Sequence, residues 1–182
     1  RTKGTIGTGS MNDPYMPIEA GEQLTRRALG EIADARFPVH VITKGALVER
    51  DADILSDITK TYAAVSFTVT ASDDALSRLI EPRASLTSAR LRAMETLAKA
   101  GIYTGGTMMP MLPFITDNEP NTGEILRRAA DAGASYVVPM FGLTMRAGSR
   151  EYLYAALDRD FPGIRQQYET LYGDNYICDS PD

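Results

Sequence analysis

The sequence of 182 residues has no tryptophan, one histidine and one cysteine. A single cysteine, Cys178, excludes a disulfide or a cysteine-ligated metal cluster within one chain. The lone His40 sits in an apolar run, and one imidazole without partners reads as a hydrogen-bonded core or surface residue rather than a metal ligand. No apolar run nears the roughly 20 residues of a membrane-spanning helix, and the opening residues do not read as a signal peptide. A cytoplasmic location is the expectation. Basic residues are outnumbered 19 to 24, for a net charge of −5. That balance argues against a surface given over to nucleic acid, although a local basic patch stays open. Arg26, Arg27, Arg90, Arg92, Arg146 and Arg150 read as solvated helix faces rather than phosphate contacts. What is present is ordinary for one soluble domain: 43% hydrophobic and 24% charged residues, in a chain long enough for a core.

The chain is organised around Ile6–Glu19, I-G-T-G-S-M-N-D-P-Y-M-P-I-E. A short Gly/Thr strand breaks at Asn12-Asp13-Pro14, and Pro14 and Pro17 hold the loop extended until a helix starts near Glu19. Gly7 and Gly9 leave room for a backbone or a ligand to approach. Asp13 fits an Asx turn, and also the strand end where α/β folds bind ligands.

Further along, 19–36 reads as a helix with an apolar stripe at Leu24, Ala28, Leu29 and Ile32. Val39–Thr43 reads as a buried strand, and Asp51 as the cap of a helix burying Ile54, Leu55, Ile58 and Tyr62. The alternation in 64–70 sends Val65, Phe67 and Val69 to one face and Ser66, Thr68 and Thr70 to the other, as in a barrel strand with a polar lumen. Ser85 or Thr87 should cap the helix that ends at Gly101. The strand 102–109 contains Gly105 and Gly106, which signals close approach by another group. A helix over 118–132 should bury Ile125, Leu126, Ala129 and Ala130, and a last strand follows at 136–140. Phe161-Pro162-Gly163 splits a helical stretch from 148 to 173. The expected division is a barrel core over 1–147, a helical segment over 148–174 and a tail over 175–182.

Strict strand–helix alternation implies parallel strands joined by right-handed crossovers. Five strands suit an open or partial barrel, or a doubly wound sheet. Polar residues gather at the C-terminal strand ends: Asp13, Lys44, the Ser66–Thr68–Thr70 face, and Asp73. Lys44 offers a point charge for an anion, and Asp13 an acceptor for an ammonium or hydroxyl.

The opening motif resembles the T-D-P-Y-Q-P-x-E signature of radical S-adenosylmethionine proteins of the spore photoproduct lyase group. Asn12 stands where that signature has threonine, and Met16 where it has glutamine. Ile42-Thr43-Lys44, Arg50-Asp51, Ser66–Thr70, Glu81-Pro82-Arg83-Ala84-Ser85, Arg90-Leu91 to Ala100-Gly101-Ile102, Pro110–Pro113 with Asp117, and Gly133-Ala134 follow the same pattern in order. The resemblance implies a partial (β/α)6 barrel that binds S-adenosylmethionine beside a [4Fe-4S] cluster. It assigns Lys44 to the ligand's carboxylate, and Asp13 and Ser66 to its methionine or ribose part, with Thr68 on the same face. The C-x-x-x-C-x-x-C cluster motif is absent, and Arg1-Thr2-Lys3-Gly4 runs into a strand without a start methionine. The expectation is therefore a core fragment lacking the first barrel strand, with the cluster belonging to a longer protein only. That longer protein leaves open a nucleic acid partner, and the fragment leaves open self-association. Two other readings remain at this level: a cluster-free barrel enzyme using Lys44 as a Schiff-base lysine with Asp13, and a non-catalytic nucleoside-binding domain.

Overall fold

The structure, a computed structural model, describes residues 3–9 and 11–177. Cys178 and the end of the expected tail lie outside these residues. Five strands run in the order β1 (Ile6–Thr8), β2 (Val39–Thr43), β3 (Ala63–Thr68), β4 (Tyr103–Met111) and β5 (Val137–Phe141). All pair in parallel, and their order across the sheet equals their order in sequence. That order agrees with the partial barrel the resemblance implied and rules out the doubly wound sheet that the alternation alone left open. A doubly wound sheet reverses its strand order at a switch point, whereas a sheet that adds each strand beside the last winds one way, as a barrel wall does. The fold is a partial TIM-like barrel of parallel strands.

After β1 come α1 (Glu19–Glu22) and α2 (Leu24–Asp34). A 3-10 turn over Ala46–Asp51 and α3 (Ala52–Ile58) follow β2, α4 (Asp74–Ile80) and α5 (Thr87–Lys99) follow β3, and α6 (Glu119–Asp131) follows β4. The core lies between the outer strand faces and this helical layer. Val65, Phe67 and Val69 pack there with Leu55, Ile58, Leu91, Met94 and Leu97, as the alternation required. Ser66 and Thr68 face the lumen. Thr70 is also buried, but past the strand, where its carbonyl accepts from Asn121 Nδ2 at 3.0 Å.

Several local expectations change. The helix over 19–36 breaks at Gln23, which takes a left-handed φ of 52°. The break turns α2 so that Leu29 is buried while Leu24 and Ala28 face solvent. Leu126 and Ala130 are likewise exposed because α6 buries a narrower stripe than assumed, and Tyr62 is exposed because α3 ends at Ile58 and leaves it in the turn before β3. Neither Ser85 nor Thr87 caps α5. The Asp74 carboxylate does so from α4, accepting from the Ser88 N–H at 2.8 Å and its hydroxyl at 2.6 Å. Gly101 and Gly133, with φ of 80° and 84°, stop α5 and α6 as read. Helices α7 (Ser149–Asp160) and α8 (Ile164–Tyr172) share a separate small core of Met145, Leu157, Tyr168 and Tyr172.

Candidate functional site

The loop after β1 is held by its own acidic residue. Asp13 Oδ1 accepts from the Tyr15 N–H at 2.9 Å and the Thr43 hydroxyl at 2.5 Å, and Oδ2 accepts from the Lys44 N–H at 2.6 Å. The Asx turn is therefore real, and it also clasps the loop to the end of β2. Gly9, with φ of 92°, lies against the Ile42 carbonyl so closely that an added Cβ would overlap it. Of the two approaches expected at Gly7 and Gly9, the one at Gly9 is backbone; Gly7 faces open space.

The rest of the D-P-Y-x-x-x-E segment builds a buried ion network with Arg50-Asp51. Asp51 is fully buried and caps nothing. It accepts from the Tyr15 hydroxyl at 3.0 Å, from Arg26 at 2.9 Å, and from Arg50 at 2.8 and 2.9 Å. Burial alone would raise its carboxyl pKa; Arg50, Arg26 and Tyr15 outweigh that and hold it below the usual range. Burial and the Asp51 charge push the Tyr15 phenol far up, so it stays a donor. Glu19 grips Arg50 at 2.8 Å and accepts from the N–H groups of Thr25 and Arg26. It thereby caps α2 from outside, where Gln23 makes no side-chain cap bond.

A second ion cluster sits under Lys44. The Glu81 carboxylate lies between Lys44 Nζ and Arg90, each 2.6 Å away. Burial opposes ionisation of Glu81, but the two cations prevail and keep its pKa low. Arg90 is fully buried, contrary to its reading as a solvated residue. Its other donors reach the carbonyls of Ser85 and Thr68, both at 2.7 Å, so it ties β3 to the Glu81 turn. Arg26 is also engaged internally, with Asp51 and Asp53.

At the strand ends these supports open a small cavity of about 200 Å³ lined by Asn12, Asp13, Lys44 and Thr68, among others. Three of the four residues singled out from the sequence thus share one cavity. Ser66 does not line it. Its hydroxyl lies deeper in the lumen, 2.7 Å from His40 Nε2 and 2.6 Å from the Tyr136 hydroxyl. Burial lowers the pKa of His40 and favours the neutral ring. The close approach signalled by Gly105 is the Tyr136 ring, which occupies the space of a side chain there. Sequence reasoning gave Tyr136, Glu81 and Arg90 no role in the site. The Glu81-Pro82-Arg83 and Arg90-Leu91 passages of the resemblance offered a signal, but they did not reveal which charges pair.

The family model of the Radical SAM superfamily matches residues 4–126. The chain belongs to the radical SAM superfamily. It is 28% identical over 169 residues to an uncharacterized protein of Mycobacterium tuberculosis (strain ATCC 25618 / H37Rv), covering 92% of this chain and 49% of the relative. An uncharacterized protein of Methanocaldococcus jannaschii is 34% identical over 122 residues, 67% of this chain and 46% of the relative. The radical SAM chain thus spans about half the length of these relatives. Among solved structures it is similar to spore photoproduct lyase complexed with dinucleoside spore photoproduct, with a TM-score of 0.61 and 15% identity. A mutant of that lyase with bound AdoMet and dinucleoside spore photoproduct gives 0.60 and 14%. Each covers 88% of this chain and 46% of the lyase chain, and at such identities the likeness is one of fold. No helix among the described residues is long and apolar enough to cross a membrane.

Proposed function

We propose that the barrel mouth of this radical SAM chain binds S-adenosylmethionine, with the Lys44 ammonium facing the ligand's carboxylate. The observation that carries the reading is the meeting of Lys44, Asp13 and Thr68, from separate segments, around one cavity at the C-terminal strand ends. The donor set suits the ligand. Arg90 offsets the charge of Glu81, so the Lys44–Glu81–Arg90 group carries one net positive charge. An ammonium has three donors, and Glu81 takes one. Asp13 acts by holding the loop and the Lys44 backbone. Thr68, whose hydroxyl lies 2.8 Å from that of Thr107, forms the floor. Ser66, bonded to His40 and Tyr136, belongs to the lumen beneath.

In the superfamily this ligand supplies a 5′-deoxyadenosyl radical when it is bound beside a cluster. A cluster needs thiolate ligands. The sequence has only Cys178, outside the described residues, so no step through a cluster is assigned to these residues. The Schiff-base alternative requires the Lys44 nitrogen free to attack a carbonyl, whereas Nζ is held 2.6 Å from the Glu81 carboxylate. A nucleoside-binding role without catalysis uses the same cavity. It is separated by whether a longer protein containing this chain releases 5′-deoxyadenosine.

Calorimetric titration with S-adenosylmethionine tests the reading. Lys44→Ala should weaken binding by roughly 1.5–3 kcal/mol, the range for a hydrogen bond to a charged group. Equal affinities would remove Lys44 from the site. Failure of both the chain and the longer protein to bind would remove the function.

A further inference from the structure

Beside the mouth lies a second cavity of about 600 Å³, within the usual size range of small-molecule sites. Three segments wall it: the loop from Asp13 to Ala20, the stretch after β2 from Lys44 to Leu47, and the turn from Arg83 to Ser85. Its back is rigid. Tyr15 is buried and tied to Asp51, and Gly45 packs so tightly on it that an added Cβ would stand 2.8 Å from Tyr15 Cβ. Met16, Pro17 and Leu47 give apolar sides.

The charges on the wall are unequal in availability. Both oxygens of Asp13 already accept hydrogen bonds. Lys44, on the border with the mouth, gives one of its three donors to Glu81 and is assigned above to the mouth. The exposed Arg83 guanidinium has no hydrogen-bond or ion-pair partner among the described residues. The Ser85 hydroxyl accepts from the Ala46 N–H at 3.0 Å and keeps its own proton to donate. An apolar chamber with a rigid back, one unpaired guanidinium and one free hydroxyl donor is complementary to a ligand with an anionic end and a compact apolar body.

We propose that this cavity binds an aryl or alkyl anion, a phosphate monoester or a carboxylate, with Arg83 engaging the anion and Met16, Pro17 and Leu47 covering the apolar part. The two cavities share Asp13 and Lys44 at their border, but Arg83 and Ser85 line this one and not the mouth, so the proposal holds whether or not S-adenosylmethionine binds at Lys44.

The test is calorimetric titration of the chain with phenyl phosphate and with benzoate, against inorganic phosphate and benzyl alcohol, which each lack one half of the recognition. Saturable binding of phenyl phosphate or benzoate is expected, at least tenfold tighter than either control, and the tighter of the two identifies the anion. Arg83→Ala should weaken it at least tenfold and Arg83→Lys less. Arg92→Ala, on the far side of α5, should leave it unchanged. Arg83 is exposed and unpaired, so unfolding midpoints should be the same in both Arg83 variants. No saturable binding, inorganic phosphate binding as tightly as phenyl phosphate, or indifference to Arg83→Ala would each overturn the proposal. A loss confined to Lys44→Ala would assign the anion to the mouth and overturn it as well.

Discussion

Replacing Glu81 separates what holds the site together from what the site offers a ligand. Its carboxylate has two cationic partners in different surroundings. The Arg90 side chain is 1% exposed and that of Lys44 36%. Removing one partner of a buried pair leaves an uncompensated charge and costs about 3–5 kcal/mol, whereas a pair open to water contributes about 0–1 kcal/mol. In Glu81→Gln the amide oxygen still accepts from Arg90, and the carbonyls of Ser85 and Thr68 remain. The cost should therefore fall at the lower end, about 3 kcal/mol, nearly all of it on the Arg90 side. That is a large share of the ~5–15 kcal/mol that stabilises a domain. Lys44→Ala should cost about 1 kcal/mol or less, since it breaks only the wet half of the cluster. Urea unfolding followed by circular dichroism at pH 7 reads both, as a midpoint shift at constant slope. Equal losses for the two variants, or less than 1 kcal/mol for Glu81→Gln, would refute the reasoning. If it holds, Lys44→Ala is a binding variant that leaves the fold intact.

Asp51→Asn should be as costly or more, about 3–5 kcal/mol, because it strips the charge facing Arg26 and Arg50 at a fully buried position; the urea midpoint of the variant measures it. Acid should destabilise the chain in two stages. The pKa of His40 is depressed below 6.5, so the unfolded chain takes up that proton first and stability declines gently as pH falls below about 6.5. Glu19, Asp51 and Glu81 are depressed below 4.5, 3.8 and 4.5, so their contribution is complete above those values and is lost as pH falls through the lower folded ones. A flat stability profile from pH 7 to 4 would contradict the first stage. Gly105→Ala should displace the Tyr136 ring and break its bond to Ser66, with a loss of about 1–3 kcal/mol and altered tyrosine near-ultraviolet dichroism.

The sequence by itself determined the elements and their faces, because those depend on neighbours a few residues away. The alternation at Val65–Val69 set which side of β3 meets the helices, the glycines at 101 and 133 set where two helices stop, and Phe161-Pro162-Gly163 set the break between α7 and α8. The Asn12-Asp13-Pro14 turn was legible for the same reason, since Asp13 bonds the N–H two residues on. Strand order was not legible: partial barrel and doubly wound sheet share one alternation and differ only in which edge each new strand joins. Nor were the charge partners. Arg26 and Asp51 lie 25 residues apart, Glu81 and Arg90 nine, and Ser66 and Tyr136 seventy. Arg90 illustrates the cause. On its helix it looks like any surface arginine, and only the folded sheet brings Glu81 and the carbonyls of Ser85 and Thr68 close enough to make burying its charge favourable.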